Sequence, residues 1–277
     1  MSIPIWQYAI SMSCYFFFLL FLIGFMRKNY KFTHIFWIAS LLTFPIWLMG
    51  GVVGWFRWAK ILSVILPTIF VGFCRIAVLE DKKGPAWDFI RKPWALWFAY
   101  CILFLNIMEA TMKDFTTGNT MNALTGFLLC VTIPFAPKFW KYTKEKPGDL
   151  IAYTTVFWNL AYTTWNACFV YGESPEYFAS SLCILLAAEI YPIIMKRPEL
   201  YIIARVYTLA AHLLIRACLP GLFPALMNSS SWSNPTVLKY WGALNLILIV
   251  PYVFWHMWQL HTGKSEVSFR RGRAEAA

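Results

Sequence analysis

Arg205, Thr208, His212 and Arg216 sit three, four and four residues apart in the stretch YIIARVYTLAAHLLIRACLPG, residues 201–221. On an α-helix that spacing puts all four on one stripe. The surrounding residues are apolar over about the length of a membrane span. A charge at the bilayer centre is costly, so such a stripe must face the protein interior and find partners there. Arg216 and His212 then offer positive charge to an anionic solute.

Other apolar segments carry the candidate partners. In LFLNIMEATMKDF, Asn106, Glu109 and Lys113 follow a three-then-four spacing on one face. In VFWNLAYTTWNACFVYGE, Asn159, Thr163 and Asn166 align, with Tyr162 and Trp165 adjoining as an aromatic wall. Asn245 points to the same level. These residues are expected to gather with His212 and Arg216 around a cavity that takes a small polar or anionic ligand. A second, inner cluster is expected from Glu189 in LLAAEIYP, Arg205 and Arg75, acting as structural ion pairs that pin helices. His256 and His261 are expected to face headgroups.

The elements that position these residues follow from composition. The chain has 277 residues, 60% hydrophobic, 19% aromatic and 13% charged. A soluble domain is usually about half apolar and about a quarter charged. The seven cysteines lie in apolar runs without metal-ligand spacing, which predicts small core residues and no disulfide framework. The N-terminus lacks a basic start and a small-residue cleavage site, so the first apolar run reads as a retained span.

Nine segments approach the length of about 20 apolar residues that a spanning helix needs: roughly 4–26, 35–56, 61–79, 93–112, 121–137, 150–171, 178–195, 201–219 and 238–260. The expected fold is all-α, a polytopic transmembrane helical bundle forming one domain over 1–262, followed by a basic cytoplasmic tail at 263–277. With the N-terminus outside, 17 Lys and Arg fall in inner segments and four in outer ones. The positive-inside rule therefore predicts an outer N-terminus and an inner C-terminus. The formal charge of +11 then faces an anionic cytoplasmic leaflet rather than nucleic acid. A homo-oligomer is compatible with this surface. The loop at 82–94 mixes aromatic and basic residues as a short interfacial element would.

Two segments, LNIMEATMKDF at 105–115 and YTTWNACFVYGESPEYFAS at 162–180, resemble those of a bacterial polytopic membrane family of unknown function. The shared pattern is N-I-x-E-A followed by an Asp, then Y-x-x-W-N at the end of a span. The resemblance implies a bacterial cytoplasmic membrane. It also implies that Asn106, Glu109, Asp114, Trp165 and Asn166 belong to one site.

Three functions fit these features. The first is a transporter or channel for a small polar or anionic solute, with Glu109 available for proton coupling and the breaks at Pro220 and Pro224 as a gate. The second is a non-catalytic receptor or assembly subunit. The third is an integral membrane enzyme acting on a lipid or isoprenoid, with Glu109 and His212 as acid and base. The third lacks HExxH, GxSxG, a histidine box and an Asp-rich diphosphate motif. No metal site, catalytic residue or cofactor is assigned.

Overall fold

The computed structural model describes residues 3–50, 52 and 54–262. The tail expected at 263–277 lies outside the described residues. The helices are α1 (Ile5–Lys28), α2 (Tyr30–Ser40), α3 (Phe44–Met49), α4 (Trp55–Leu79), α5 (Pro85–Ile90), α6 (Trp94–Thr116), α7 (Thr120–Val131), α8 (Val156–Glu173), α9 (Phe178–Ile194), α10 (Tyr201–Cys218), α11 (Leu222–Met227) and α12 (Pro235–His261). Two short strands, β1 (Trp140–Tyr142) and β2 (Leu150–Ala152), form an antiparallel hairpin with Trp140 opposite Ala152.

Among the described residues, seven helical stretches are long and apolar enough to cross a membrane: Ile5–Lys28, Tyr30–Met49, Arg57–Leu79, Trp94–Thr116, Pro175–Ile194, Pro198–Cys218 and Pro235–His261. Phe17, Phe21, Leu105, Ile247 and Phe254 stand exposed on them. That much open apolar surface belongs to a protein covered by lipid. Among these stretches the one holding α10 is the most buried; α10 packs against α1, α4, α9 and β2. The polar stripe on α10 therefore lies at the centre of the bundle.

Two of the nine expected spans take another form. The apolar run at 121–137 is the 12-residue helix α7 followed by an irregular segment. The run at 150–171 begins as β2, and its helix starts only at Val156. The cause is burial by protein rather than by lipid. Ile133, Ala136, Phe139, Trp140, Leu150, Ile151 and Tyr153 all pack into the core, so they read as apolar without crossing anything. Thr155 caps α8, its Oγ1 accepting from the Trp158 amide at 3.1 Å.

The hairpin turn carries a buried ion pair. Gly148 sits at φ +73°, and a Cβ there would come within 2.3 Å of Leu79 Cδ1, so both backbone and space demand glycine. Next to it, Asp149 accepts from Arg27 Nη2 at 2.6 Å and Nε at 2.9 Å. Both side chains are buried, at 5% and 1% exposure. Four of the seven cysteines, Cys74, Cys130, Cys168 and Cys183, are buried as expected of core residues, whereas Cys14 and Cys101 are exposed. His256 is buried beside Tyr252 rather than facing headgroups, because α12 turns that side of its last turns inward. His261 is exposed.

Candidate functional site

A cavity lies between α4, α6, α8, α9 and α10. Six of the nine residues expected at a ligand site line it: Asn106, Glu109, Tyr162, Asn166, His212 and Arg216. The helical spacings bring them there. Asn106 and Glu109 are one turn apart on α6, Tyr162 and Asn166 one turn apart on α8, and Arg205, His212 and Arg216 share the α10 stripe. Thr208 completes the stripe but spends its hydroxyl on the Arg205 carbonyl at 3.2 Å.

Arg205 also lines this cavity, and its hydrogen bonding is incomplete. Its Nη2 donates to Asn166 Oδ1 at 3.2 Å. Its Nε and Nη1 are buried and have no hydrogen-bond partner, although the residue is only 6% exposed. A guanidinium has five N–H donors in a fixed fork. Arg75 shows what a satisfied one looks like in the same protein. Its donors reach the carbonyls of Gly148, Met26, Arg27 and Pro147 and the hydroxyl of Tyr207. Buried donors left without acceptors each cost about 1–3 kcal/mol. An unfilled guanidinium is thus a feature that a ligand oxyanion would complete.

His212 adds a second open position. Its Nδ1 lies 3.1 Å from the Tyr15 hydroxyl, and its Nε2 is buried without a partner. In the tautomer in which Tyr15 donates to Nδ1, the ring proton resides on Nε2, which can then donate into the cavity. Arg216 stacks over the Tyr177 ring at 3.7 Å. Opposite, Lys60 and Glu109 form an ion pair at 3.8 Å.

The cavity continues in two directions. Past Val64, Asn106, Tyr162, Arg205 and Leu209 it adjoins a chamber between α4, α6 and α10, with Trp140 and Leu150 of the hairpin on its wall. Past Lys60, Leu213 and Arg216 it adjoins a recess that also holds Arg57. Three compartments therefore follow one another: apolar chamber, polar cavity, basic recess.

Three expected site residues lie elsewhere. Asp114 is buried away from the cavity and accepts from Asn122 Nδ2 at 2.7 Å and Asn119 Nδ2 at 3.1 Å. Trp165 donates from Nε1 to the Asn122 carbonyl at 2.9 Å, on the α7 side of α8. Asn159 faces the start of α10, its Nδ2 donating to the Pro198 carbonyl at 3.3 Å. Asn245 joins Asp114 and Trp165, donating to Asn122 Oδ1 at 2.8 Å. These residues make a polar knot that ties α6, α7, α8 and α12. Successive residues on an α-helix point about 100° apart, so residues adjacent in sequence, such as Trp165 and Asn166, serve different centres.

The inner cluster also differs from expectation. Glu189 accepts from Thr163 Oγ1 at 2.9 Å and makes no ion pair with Arg205 or Arg75. Arg75 is held by backbone carbonyls at the hairpin, and Arg205 opens into the polar cavity. Among the described residues, Arg27 and Asp149 form a buried ion pair. Spacing along each helix does not fix the register between helices, so it does not determine which residues on neighbouring helices pair. Lys60, Glu173, Ser181 and Arg57 are site residues that the motifs did not identify. A signal for Lys60 exists: with Val64 and Thr68 it forms a four-residue repeat on the face of α4 that turns to α10.

A family of unknown function (DUF5692) matches residues 116–270. The match includes the Y-x-x-W-N segment at 162–166 and leaves the N-I-x-E-A segment at 106–110 outside it. No curated protein and no solved structure gives a significant match. The family match covers more than half of the chain and includes α7 through α12, so this integral membrane protein belongs to the DUF5692 family.

Proposed function

We propose that the protein binds a small anionic solute in the cavity around Arg205 and moves it across the membrane. The observation that carries this reading is Arg205 itself: a guanidinium 6% exposed with Nε and Nη1 unpartnered at the wall of the cavity. A buried charge that only pinned helices would be paired on all sides, as Arg75 is. His212 Nε2, Arg216 and the basic recess favour negative charge along the same route. The outer N-terminus, inner C-terminus and cytoplasmic-membrane location are parts of this reading and rest on the distribution of Lys and Arg.

Currents from proteoliposomes on a solid-supported membrane test it, with chloride, inorganic phosphate and alkyl sulfonates as the applied anions. At least one anion should give a saturable current that Arg205→Gln abolishes. Currents no larger than those of empty liposomes for every anion would remove the transport reading. A current from the wild type that Arg205→Gln leaves unchanged would remove Arg205 from it.

A further inference from the structure

We infer that the anion is amphiphilic: an oxyanion head carried on an aliphatic chain, with the head at Arg205 and the chain in the chamber between α4, α6 and α10. This rests on the anion-binding reading of the cavity and adds the class of ligand. Three observations carry it. The first is continuity. The polar cavity and the chamber share Val64, Asn106, Tyr162, Arg205 and Leu209 as common wall, so the unpartnered Nε and Nη1 of Arg205 lie at the junction of the two compartments.

The second is the chemistry of the chamber. Its remaining walls are formed by residues such as Phe98, Ile102, Leu103, Ile202 and Val206. The hydroxyls on that wall are already used: Ser63 donates to the Lys60 carbonyl at 3.1 Å and Thr68 to the Val64 carbonyl at 2.7 Å. Trp140 spends its Nε1 on the Pro134 carbonyl at 2.8 Å. What faces the chamber is therefore apolar, and a polar solute would gain nothing by entering it.

The third is how the chamber is framed. α4 and α6 meet at Lys60 and Glu109 on one side, at 3.8 Å, and at Phe70 and Phe98 on the other, with ring centroids 4.8 Å apart. Between these contacts Pro67 lies within the continuous helix α4, where its missing N–H removes one backbone hydrogen bond, and it lines the chamber. The partly exposed Phe98, Ile102 and Leu103 line the chamber as well. A chain attached to a head at Arg205 would lie along it. A sulfonate, carboxylate or phosphate head offers several oxygen acceptors for the open Nε and Nη1 donors, which lie on different edges of the guanidinium.

The test is binding to the full chain in phosphatidylcholine nanodiscs by isothermal titration. The probes are methane-, butane-, hexane- and octanesulfonate, which stay anionic at all working pH values. Affinity should rise about fourfold per added methylene. Leu103→Trp, and independently Ala99→Phe, should flatten that rise by filling the chamber. Arg205→Gln should abolish saturable binding of the whole series. Equal affinity for methane- and octanesulfonate would overturn the amphiphile inference and leave the anion site standing. No saturable binding of any sulfonate would overturn both. A rise with chain length matched in protein-free nanodiscs, or undiminished in both filled variants, would reflect lipid partitioning and overturn the inference. Competition of octanesulfonate by phosphatidic acid in the nanodisc would identify the source as a membrane lipid. A lack of competition, with the chain-length rise intact, would identify a soluble amphiphile of the same chemistry.

Discussion

Asp149→Asn should be among the most damaging single substitutions outside the cavity. Arg27 Nε and Nη2 donate to the two carboxylate oxygens at 2.9 and 2.6 Å, and the side chains are 5% and 1% exposed. Removing one partner of a buried pair leaves an uncompensated charge, at a cost of about 3–5 kcal/mol. Asparagine keeps one acceptor, and Arg27 keeps its 2.7 Å bond to the Tyr191 hydroxyl, so the lower figure, about 3 kcal/mol, applies. For a chain of this size that corresponds to a fall of roughly 6–12 °C in Tm. The assay is tryptophan fluorescence during thermal unfolding in detergent. The double variant Arg27→Met, Asp149→Leu removes both charges and should recover most of the loss, since an apolar replacement of a buried pair is often neutral. A Tm for Asp149→Asn within about 1 °C of wild type would refute the reasoning. A double variant as unstable as the single would show that packing, not unpaired charge, sets the cost.

Two further outcomes are expected. Gly126→Ala would set a Cβ 2.1 Å from Thr111 Oγ1 and 2.8 Å from Trp165 Cζ2, both in a buried layer that cannot yield, so it should destabilise by about 1–3 kcal/mol; an unchanged Tm would mean that α6, α7 and α8 are not so closely packed. Glu80, outside the spans, has its carboxyl held down to about 2 from an ordinary 4.5, first by Lys31 and then by the Tyr30 hydroxyl. Its folded value lies below its unfolded one, so its stabilisation is present above about 4.5 and is lost as pH falls toward 2. The gap in Tm between wild type and Glu80→Gln should therefore close over that window. At 20% side-chain exposure the gap is small, under about 1 kcal/mol; a gap that widens on acidification would contradict the assignment.

Within one helix, the sequence was a good guide. The α10 stripe was legible because a 3.6-residue period fixes which residues share a face, and the polar sets on α6 and α8 followed the same rule. Relations between helices were harder. Glu189 and Arg205 occupy consecutive helices at similar depth, yet Glu189 turns to Thr163 of α8, because rotation about each helix axis depends on packing against all its neighbours. Hydropathy likewise could not separate residues buried in lipid from residues buried in protein. Phe139, Trp140, Leu150 and Ile151 are as apolar as any span and instead build the hairpin on the chamber wall. Asp149 sits in a loop that looks like a solvated connection, KFWKYTKEKPGD. Nothing local marks it as the carboxylate that Arg27, more than a hundred residues earlier, will meet.

The most direct test of the account is a high-resolution cryo-EM map of the wild-type protein in nanodiscs, judged at the Arg205 guanidinium. The account predicts that Nε and Nη1 face a hollow holding non-protein density within hydrogen-bond distance, with Glu189 on Thr163. A closed, dry bundle in which Glu189 swings across to pair with Arg205 would contradict it.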